Sequence, residues 1–572
     1  MSRPRYRLDA VSLSYRSILR DVSCSAHPSE LLAIVGPSGA GKTSLLSLLA
    51  AVSPSGPTSG RLLLNGVALN PAKFRRLSGH VTQEDALFPL LTVRESLTFS
   101  ARLRLPLTPG EADVRVRTLL ADLSLESVAD SRIGALSGGE RRRVSIGSDL
   151  VHHPQVLLLD EPTSGLDSAS ALHIISMLKS MAVNHGKTVI LTIHQPGFRI
   201  LDLVDRLLLI SAGSVKHFGP LDLLEKRLSE SGLSVPPHVN VLEFAMDKIN
   251  TLTCTTTSTE QQQQGEEEVV VVVAVTKSSC STSRELLERS GVSYANSRSS
   301  EILILTSRFF KNVMRTPQLS AARMLQCLFA GVALGTIFMN VDNLQARIGF
   351  FAFTLTFLLS STTEGLPVFL QERRILARET SRGAYRVSSY VLSNALVFLP
   401  FLLLASLLYA APVYWLVGLR RELGGFLYFS LVVWMVMAMA NSFVACLSAL
   451  VPNFIMGNSL IAGLMGSFFL FSGYFISKRN IPKYWMFMHY MSLFKYPFEG
   501  FVVNEYGCGT GRSRCLDMEE GVCVMDGATF LTQRGLVLSQ KWTSLGVMMG
   551  FICGYRLLSF FILWVRCCRL RR

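Results

Sequence analysis

Between Leu423 and Ser477 the chain runs 55 residues without a charged side chain, and between Val387 and Leu419 another 33. About 20 apolar residues cross the hydrocarbon core of a bilayer, so such runs read as membrane helices. The longer run must hold two of them, and Val451-Pro452-Asn453 supplies the break, because proline stops a helix. Charge is partitioned to match. Residues 1–320 hold 64 of the 97 charged side chains, 34 basic against 30 acidic, and residues 321–572 hold 22 basic against 11 acidic. A soluble enzyme would spread its charges more evenly. Disordered and small disulfide-scaffold classes are excluded as well. Of the net charge of +15, +11 lies beside the apolar runs. Basic residues there report orientation in a membrane before they report nucleic acid, so no nucleic-acid partner is expected. The opening MSRPRYRLDA has no apolar h-region, so no cleaved secretory signal is expected.

The polar half carries nucleotide chemistry. Leu31–Val35 is an apolar run ending in Gly36-Pro37-Ser38-Gly39-Ala40-Gly41-Lys42-Thr43-Ser44, followed by a helix-compatible stretch. In that setting the glycines let backbone N–H groups close around phosphate oxygens, aided by the dipole of the helix start. Lys42 would reach the terminal phosphates and the Thr43 hydroxyl would ligate Mg²⁺. Val156–Leu159 then reads as a strand buried on both faces, with Asp160-Glu161 at its C-terminal edge. Asp160 is placed to hold Mg²⁺ and Glu161 to act as general base for an attacking water. Between these two lies Leu136-Ser137-Gly138-Gly139-Glu140, a second anion-binding helix start.

Taken with Ser164-Gly165-Leu166-Asp167, Val81-Thr-Gln83-Glu and Thr192-Ile-His194-Gln-Pro, this set resembles the nucleotide-binding domain of ABC transporters. The resemblance implies ATP and Mg²⁺ as cofactors, with Gln83 touching metal and water and His194 the γ-phosphate. It also implies that Ser137–Gly139 close on ATP held by another subunit. Tyr15 is a weaker match to the aromatic that stacks on adenine. Ala135-Leu136 follow Ser131-Arg-Ile-Gly134 at once, a shorter approach to the signature than is usual in the family.

Residues 1–250 therefore read as an α/β P-loop ATPase domain of ABC type. Residues 251–300 read as a low-complexity linker, including a Val269–Val275 run too short to span a membrane. Residues 301–318 read as an amphipathic helix, with Ile302, Leu305, Phe309 and Val313 on one face and Arg308, Lys311 and Arg315 on another. Residues 319–572 read as an all-α polytopic domain with spans near 321–340, 347–370, 387–416, 424–449, 455–476 and 541–565. The arginines of Glu372–Arg386 place that loop inside. The basic tail Arg566–Arg572 is inside too, and the segment 480–540 with Cys508, Cys515 and Cys523 outside. Arg420-Arg421 then breaks the same rule.

An ATPase domain preceding six spans resembles the G subfamily, the white–brown complex half-transporters. Glu364–Tyr385 looks most like its plant members. The resemblance implies a homo- or heterodimer with a second half-transporter, exporting a lipophilic small molecule such as a lipid, a cuticular or suberin precursor, a hormone or a secondary metabolite. A plasma-membrane location with both termini cytoplasmic is expected. The alternative is a membrane-anchored ATPase that gates or regulates something else. On the second span Phe350, Phe353, Phe357 and Glu364 recur at helical spacing and are candidate cargo contacts, since a carboxylate within a span usually faces a bundle interior or a cavity.

Overall fold

The computed structural model describes residues 5–52, 58–236, 239–248, 294–339, 341, 343–476, 481–507, 511–513, 515–519 and 522–571. The low-complexity tract through residue 293, and with it the valine run, lies outside these residues, as does Cys508. Two compact units result. One comprises the described residues up to Ser297 with Ser381–Ala384 and the C-terminus from Arg569, and the other comprises Arg298–Thr380 and Tyr385–Cys568.

In the first unit, the strands are β1 (Leu8–Tyr15), β2 (Leu19–Ala26), β3 (Leu31–Val35), β4 (Thr58–Leu64), β5 (Val67–Ala68), β6 (Ser78–Val81), β7 (Val156–Leu159), β8 (Thr188–Thr192), β9 (Arg206–Ser211) and β10 (Ser214–Gly219). Sheet order is β10-β9-β3-β8-β7-β6, parallel from β9 to β6, with a separate antiparallel sheet β2-β1-β4-β5. Alternation along β3 explains its unbroken aliphatic run. Leu31, Ala33 and Val35 enter one core and Leu32 and Ile34 the other, so the strand is covered on both faces. The register pairs Ile34 with Thr192, Leu159 with Leu191 and Val81 with Leu159. Four strand ends therefore open onto one edge of the sheet, where a doubly covered parallel sheet binds its ligand.

The second unit is helical. Among the described residues, five helices are long and apolar enough to cross a membrane: Ser320–Ile337, Leu344–Ser381, Val387–Leu416, Leu423–Leu450 and Gln540–Cys568. The stretch Phe454–Leu470 is apolar but only 17 residues long. At 1.5 Å per residue it reaches about 26 Å, slightly less than the hydrocarbon thickness. The break falls at Val451–Asn453, as the proline requires. Gly331 and Gly335 let the first of these helices approach the third, since a Cβ on Gly331 would lie 2.8 Å from the Tyr409 carbonyl and 2.9 Å from Pro412.

Three sequence expectations change here. The helix Arg298–Arg315 does not set its basic residues on one free face. Arg308 is buried and donates to both Glu379 oxygens at 2.8 and 2.9 Å, while Leu303, Phe310 and Met314 are exposed. Ile302 is half-buried, and Ile304 takes its place beside Leu305, Phe309 and Val313 in the packed row. The segment 480–540, expected as one outer loop, contains a buried helix at Lys495–Tyr506. Beyond it, Cys515–Glu519 and Val522–Asp526 pair as a hairpin closed by a Cys515–Cys523 disulfide. The third change concerns Arg420, which was expected at a membrane surface and is held inside the unit. It is buried, its backbone N–H donates to Glu505 at 3.1 Å, and its carbonyl accepts from the Tyr414 hydroxyl.

Candidate functional site

The P-loop joins β3 to the helix Lys42–Leu49, and its glycines are sterically required. Gly36, Gly39 and Gly41 have φ of 154°, 79° and 99°, a region L-residues avoid. A side chain on Gly36 would run into the Ile210 carbonyl, and one on Gly41 would meet Leu19 at 2.8 Å. Lys42 is buried and donates to the carbonyls of Gly36 at 2.8 Å and Pro37 at 3.1 Å. Burial pulls its pKa down, partly offset by the charges of Glu161 and Asp160. A buried cation whose hydrogen bonds, among the described residues, go to loop carbonyls fits a group that brings negative charge to the loop, as a polyphosphate does.

Opposite it, Asp160 and Glu161 follow β7, and Thr192 at the end of β8 fixes both. The Thr192 hydroxyl donates to Asp160 Oδ1 and accepts from the Glu161 backbone N–H, each at 2.8 Å. Thr43 Oγ1 donates to the same Asp160 oxygen at 3.2 Å. A hydroxyl and a carboxylate side by side are the hard oxygen donors Mg²⁺ takes from protein, leaving its other positions to phosphate and water. Among the described residues no three His, Cys, Asp or Glu side chains form a metal cluster, and this mode of binding needs none. Glu161 has φ of 43°, an uncommon conformation for a non-glycine residue. Gln83 Nε2 donates to its Oε2 at 2.9 Å. His194 Nε2 lies 2.8 Å from Ser38 Oγ.

Lys42, Thr43, Gln83, Asp160, Glu161 and His194 are thus joined through the P-loop into one cluster. Ser137 is not joined to it by any hydrogen bond among the described residues. Its side chain caps the helix Gly138–Leu150 through a reciprocal box with Glu140, and Gly138 and Gly139 pack on Leu166 and Ser170. The short approach to the signature folds as a single turn, Ile133–Ala135, with Gly134 N–H donating to the Pro89 carbonyl at 2.8 Å.

Tyr15 is not presented for stacking. Alternation along β1 turns it into the core, with Arg16 over its ring at 5.3 Å. Arg142 escaped the sequence reading because it sits in an Arg-Arg-Arg run that looks like a solvated face. In fact it is buried and donates to the Thr82 carbonyl (2.8 Å), the Gln83 carbonyl (3.1 Å), Asp85 (2.8 Å) and the Asp160 carbonyl (2.7 Å), tying the signature helix to the cluster.

In the helical unit the four candidate cargo contacts do not share one face. Phe350 is fully buried against Phe338 and Phe351. Phe353, Ser360 and Glu364 are exposed, with Phe357 partly covered by stacking on Tyr409. On an ideal helical count Glu364 falls between Phe353 and Phe357, so the open line runs through these three and Ser360, with Phe350 at its packed edge.

Residues 19–164 match the family described as ABC transporter, and residues 300–506 match the family described as ABC-2 type transporter. The chain is 48% identical over 592 residues to ABC transporter G family member 5 of Arabidopsis thaliana, covering 98% of this chain and 90% of that protein. It is 46% identical to G family member 4 of the same plant, over 96% of this chain and 94% of that protein. With G family member 8 it shares 47% identity over 96% and 91% of the two chains.

Proposed function

The chain belongs to the G family of ABC transporters, whose members couple ATP hydrolysis to membrane transport, and on that premise we propose that it pairs with a second half-transporter to export a lipophilic small molecule across the plasma membrane, both termini facing the cytoplasm. In this reading Lys42 and the loop from Gly36 to Ser44 hold the ATP phosphates, and Thr43, Asp160 and Gln83 hold Mg²⁺. The metal, when bound, offsets charge developing on the transferred phosphate. Glu161 accepts the proton of the attacking water, oriented by the Gln83 amide at its Oε2 and by the fixed backbone that Thr192 imposes. His194 senses the γ-phosphate from its place beside Ser38. The partner's signature, equivalent to Ser137–Gly139, completes the site.

One observation supports the cargo assignment. Between Phe350 and Glu364 of the second membrane helix, the described side chains left exposed or half-buried form a stripe of Phe353, Thr356, Phe357, Ser360, Thr363 and Glu364. Hydroxyls and a carboxylate are a poor surface for lipid tails and a good one for a cavity at the interface of two half-transporters. The facing candidate is the helix Phe454–Leu470, which buries Gly457, Ile461, Met465 and Phe468 and leaves Asn458 open. The test is ATP hydrolysis by the full-length protein in lipid vesicles across a panel of hydrophobic compounds. A stimulating compound, carried across the vesicle wall and losing its effect in Phe353→Ala, supports the reading. Hydrolysis indifferent to every compound would instead favour an ATPase that regulates something else.

A further inference from the structure

Arg323 opens the first regular membrane helix and is 2% exposed, yet its Nε and Nη2 have no hydrogen-bond partner among the described residues. A buried guanidinium without a partner calls for an explanation, and in a membrane helix the usual one is an anion that meets it during function. Among the described residues, Glu364 is the carboxylate whose charge reaches it. No hydrogen bond joins the two, because Glu364 is turned to the open stripe. At this level both helices leave α geometry. Gln318–Ala322 is a π turn, Thr362–Gly365 is a 3₁₀ turn, and the two pack on each other. Such turns recur where a helix must adjust around a ligand.

We propose that Arg323 receives the anionic head of an amphipathic cargo, a carboxylate on an apolar body. The body lies along the stripe from Phe353 to Ser360, and Glu364 is the resident counter-charge that the head displaces. The inference rests on that stripe being the cargo face. Phe353 to Glu364 spans about 16 Å of helix axis, long enough to align an extended hydrocarbon chain with its acid at the Arg323 end. Two charge-assisted N–H donors match a carboxylate's two oxygens. A neutral head of equal size would leave them unpaired.

The test compares dodecanoate, dodecanol and dodecyltrimethylammonium as stimulators of ATP hydrolysis by the full-length protein in phosphatidylcholine vesicles. Dodecanoate is expected to act at a concentration lower than dodecanol by about tenfold or more, and the cation not at all. Arg323→Gln should erase the difference between acid and alcohol without lowering the melting temperature, since it removes an unpaired charge. Glu364→Gln should favour dodecanoate further and leave dodecanol unchanged. Equal potency of acid and alcohol in the unmodified protein overturns the proposal. So does an Arg323→Gln protein that melts earlier and loses both responses alike, which marks a structural arginine. If phosphatidylglycerol in the vesicles removes the acid's advantage, the anion is a bilayer lipid and the cargo assignment falls. Should Phe353→Ala alter neither probe while Arg323→Gln still abolishes the acid preference, the stripe is at fault and the head site stands.

Discussion

At the scale of single residues, the hydrolytic cluster separates binding from chemistry. Glu161→Gln keeps the hydrogen-bond reach of the side chain but cannot take the water's proton. ATP binding should survive while turnover falls by roughly 10²-fold or more. Lys42→Ala should instead weaken binding itself, measured by nucleotide titration. Near-normal turnover in Glu161→Gln would remove it as the base. A second residue-scale prediction concerns acid. His152 Nε2–H donates to the Ser78 carbonyl at 3.1 Å and its Nδ1 accepts from Arg104 at 3.1 Å, whose other nitrogen holds the buried Asp149. Burial and then the Arg104 charge push its pKa from 6.5 down to about 3. The unfolded chain takes up a proton below about pH 6.5 that the folded protein refuses. The stability tied to this group is therefore full above that pH and is lost as pH falls toward 3. Acidification to about pH 5 should cost about 2 kcal/mol, read as a falling melting temperature. His152→Gln should flatten that limb, and an unchanged slope would count against the assignment.

At the scale of elements, buried ion pairs join helices far apart in the chain. Arg347, at the start of the second membrane helix, donates to Glu505 at 2.9 Å and to the Val341 carbonyl at 2.7 Å. Glu505 also accepts from the Arg420 N–H, so one carboxylate holds three segments. Glu505→Gln or Arg347→Met alone should destabilise by about 3–5 kcal/mol, and the double change by less than the sum. Additive losses on thermal denaturation would show that the two act separately. These elements also show what the sequence could and could not reveal. The strand β7 and the break at Pro452 were legible, because an aliphatic run and a proline each have one local meaning. Lys495–Tyr506 was not, since its Lys495, Glu499 and Glu505 disguise a buried helix whose charges find partners only in three dimensions. The nucleotide cluster was readable by motif, but Thr192 and Arg142 act through geometry that no spacing encodes. The packing that covers Phe350 and leaves Phe353 and Glu364 open was equally invisible, since a helical count gives a face but not what packs on it.

At the scale of the whole molecule, the proposed dimer joins the one P-loop of each chain to the one signature of its partner. Mixing Lys42→Ala with Ser137→Arg subunits should leave at most one intact interface per dimer, with activity well below the unmodified protein. Full activity in a verified monomer would refute the shared site. With Cys515 and Cys523 joined, Cys508 is left over from the three cysteines expected outside. Cys508→Ala should abolish any disulfide-linked dimer on a non-reducing gel, and a linked dimer that persists would redirect attention to Cys553 or Cys568. The Arg347–Glu505 pair also sets a schedule for making the protein. The partners lie 158 residues apart, and a ribosome adding about 5–20 residues per second delivers the glutamate roughly 8–30 seconds after the arginine. Until then the start of the second membrane helix lacks the carboxylate that ties it to the Arg420 and Glu505 segments. The membrane unit therefore cannot be completed helix by helix as it emerges. The end that holds Arg347 and Glu505 locks late, and a ribosome stalled between those two codons would leave it open.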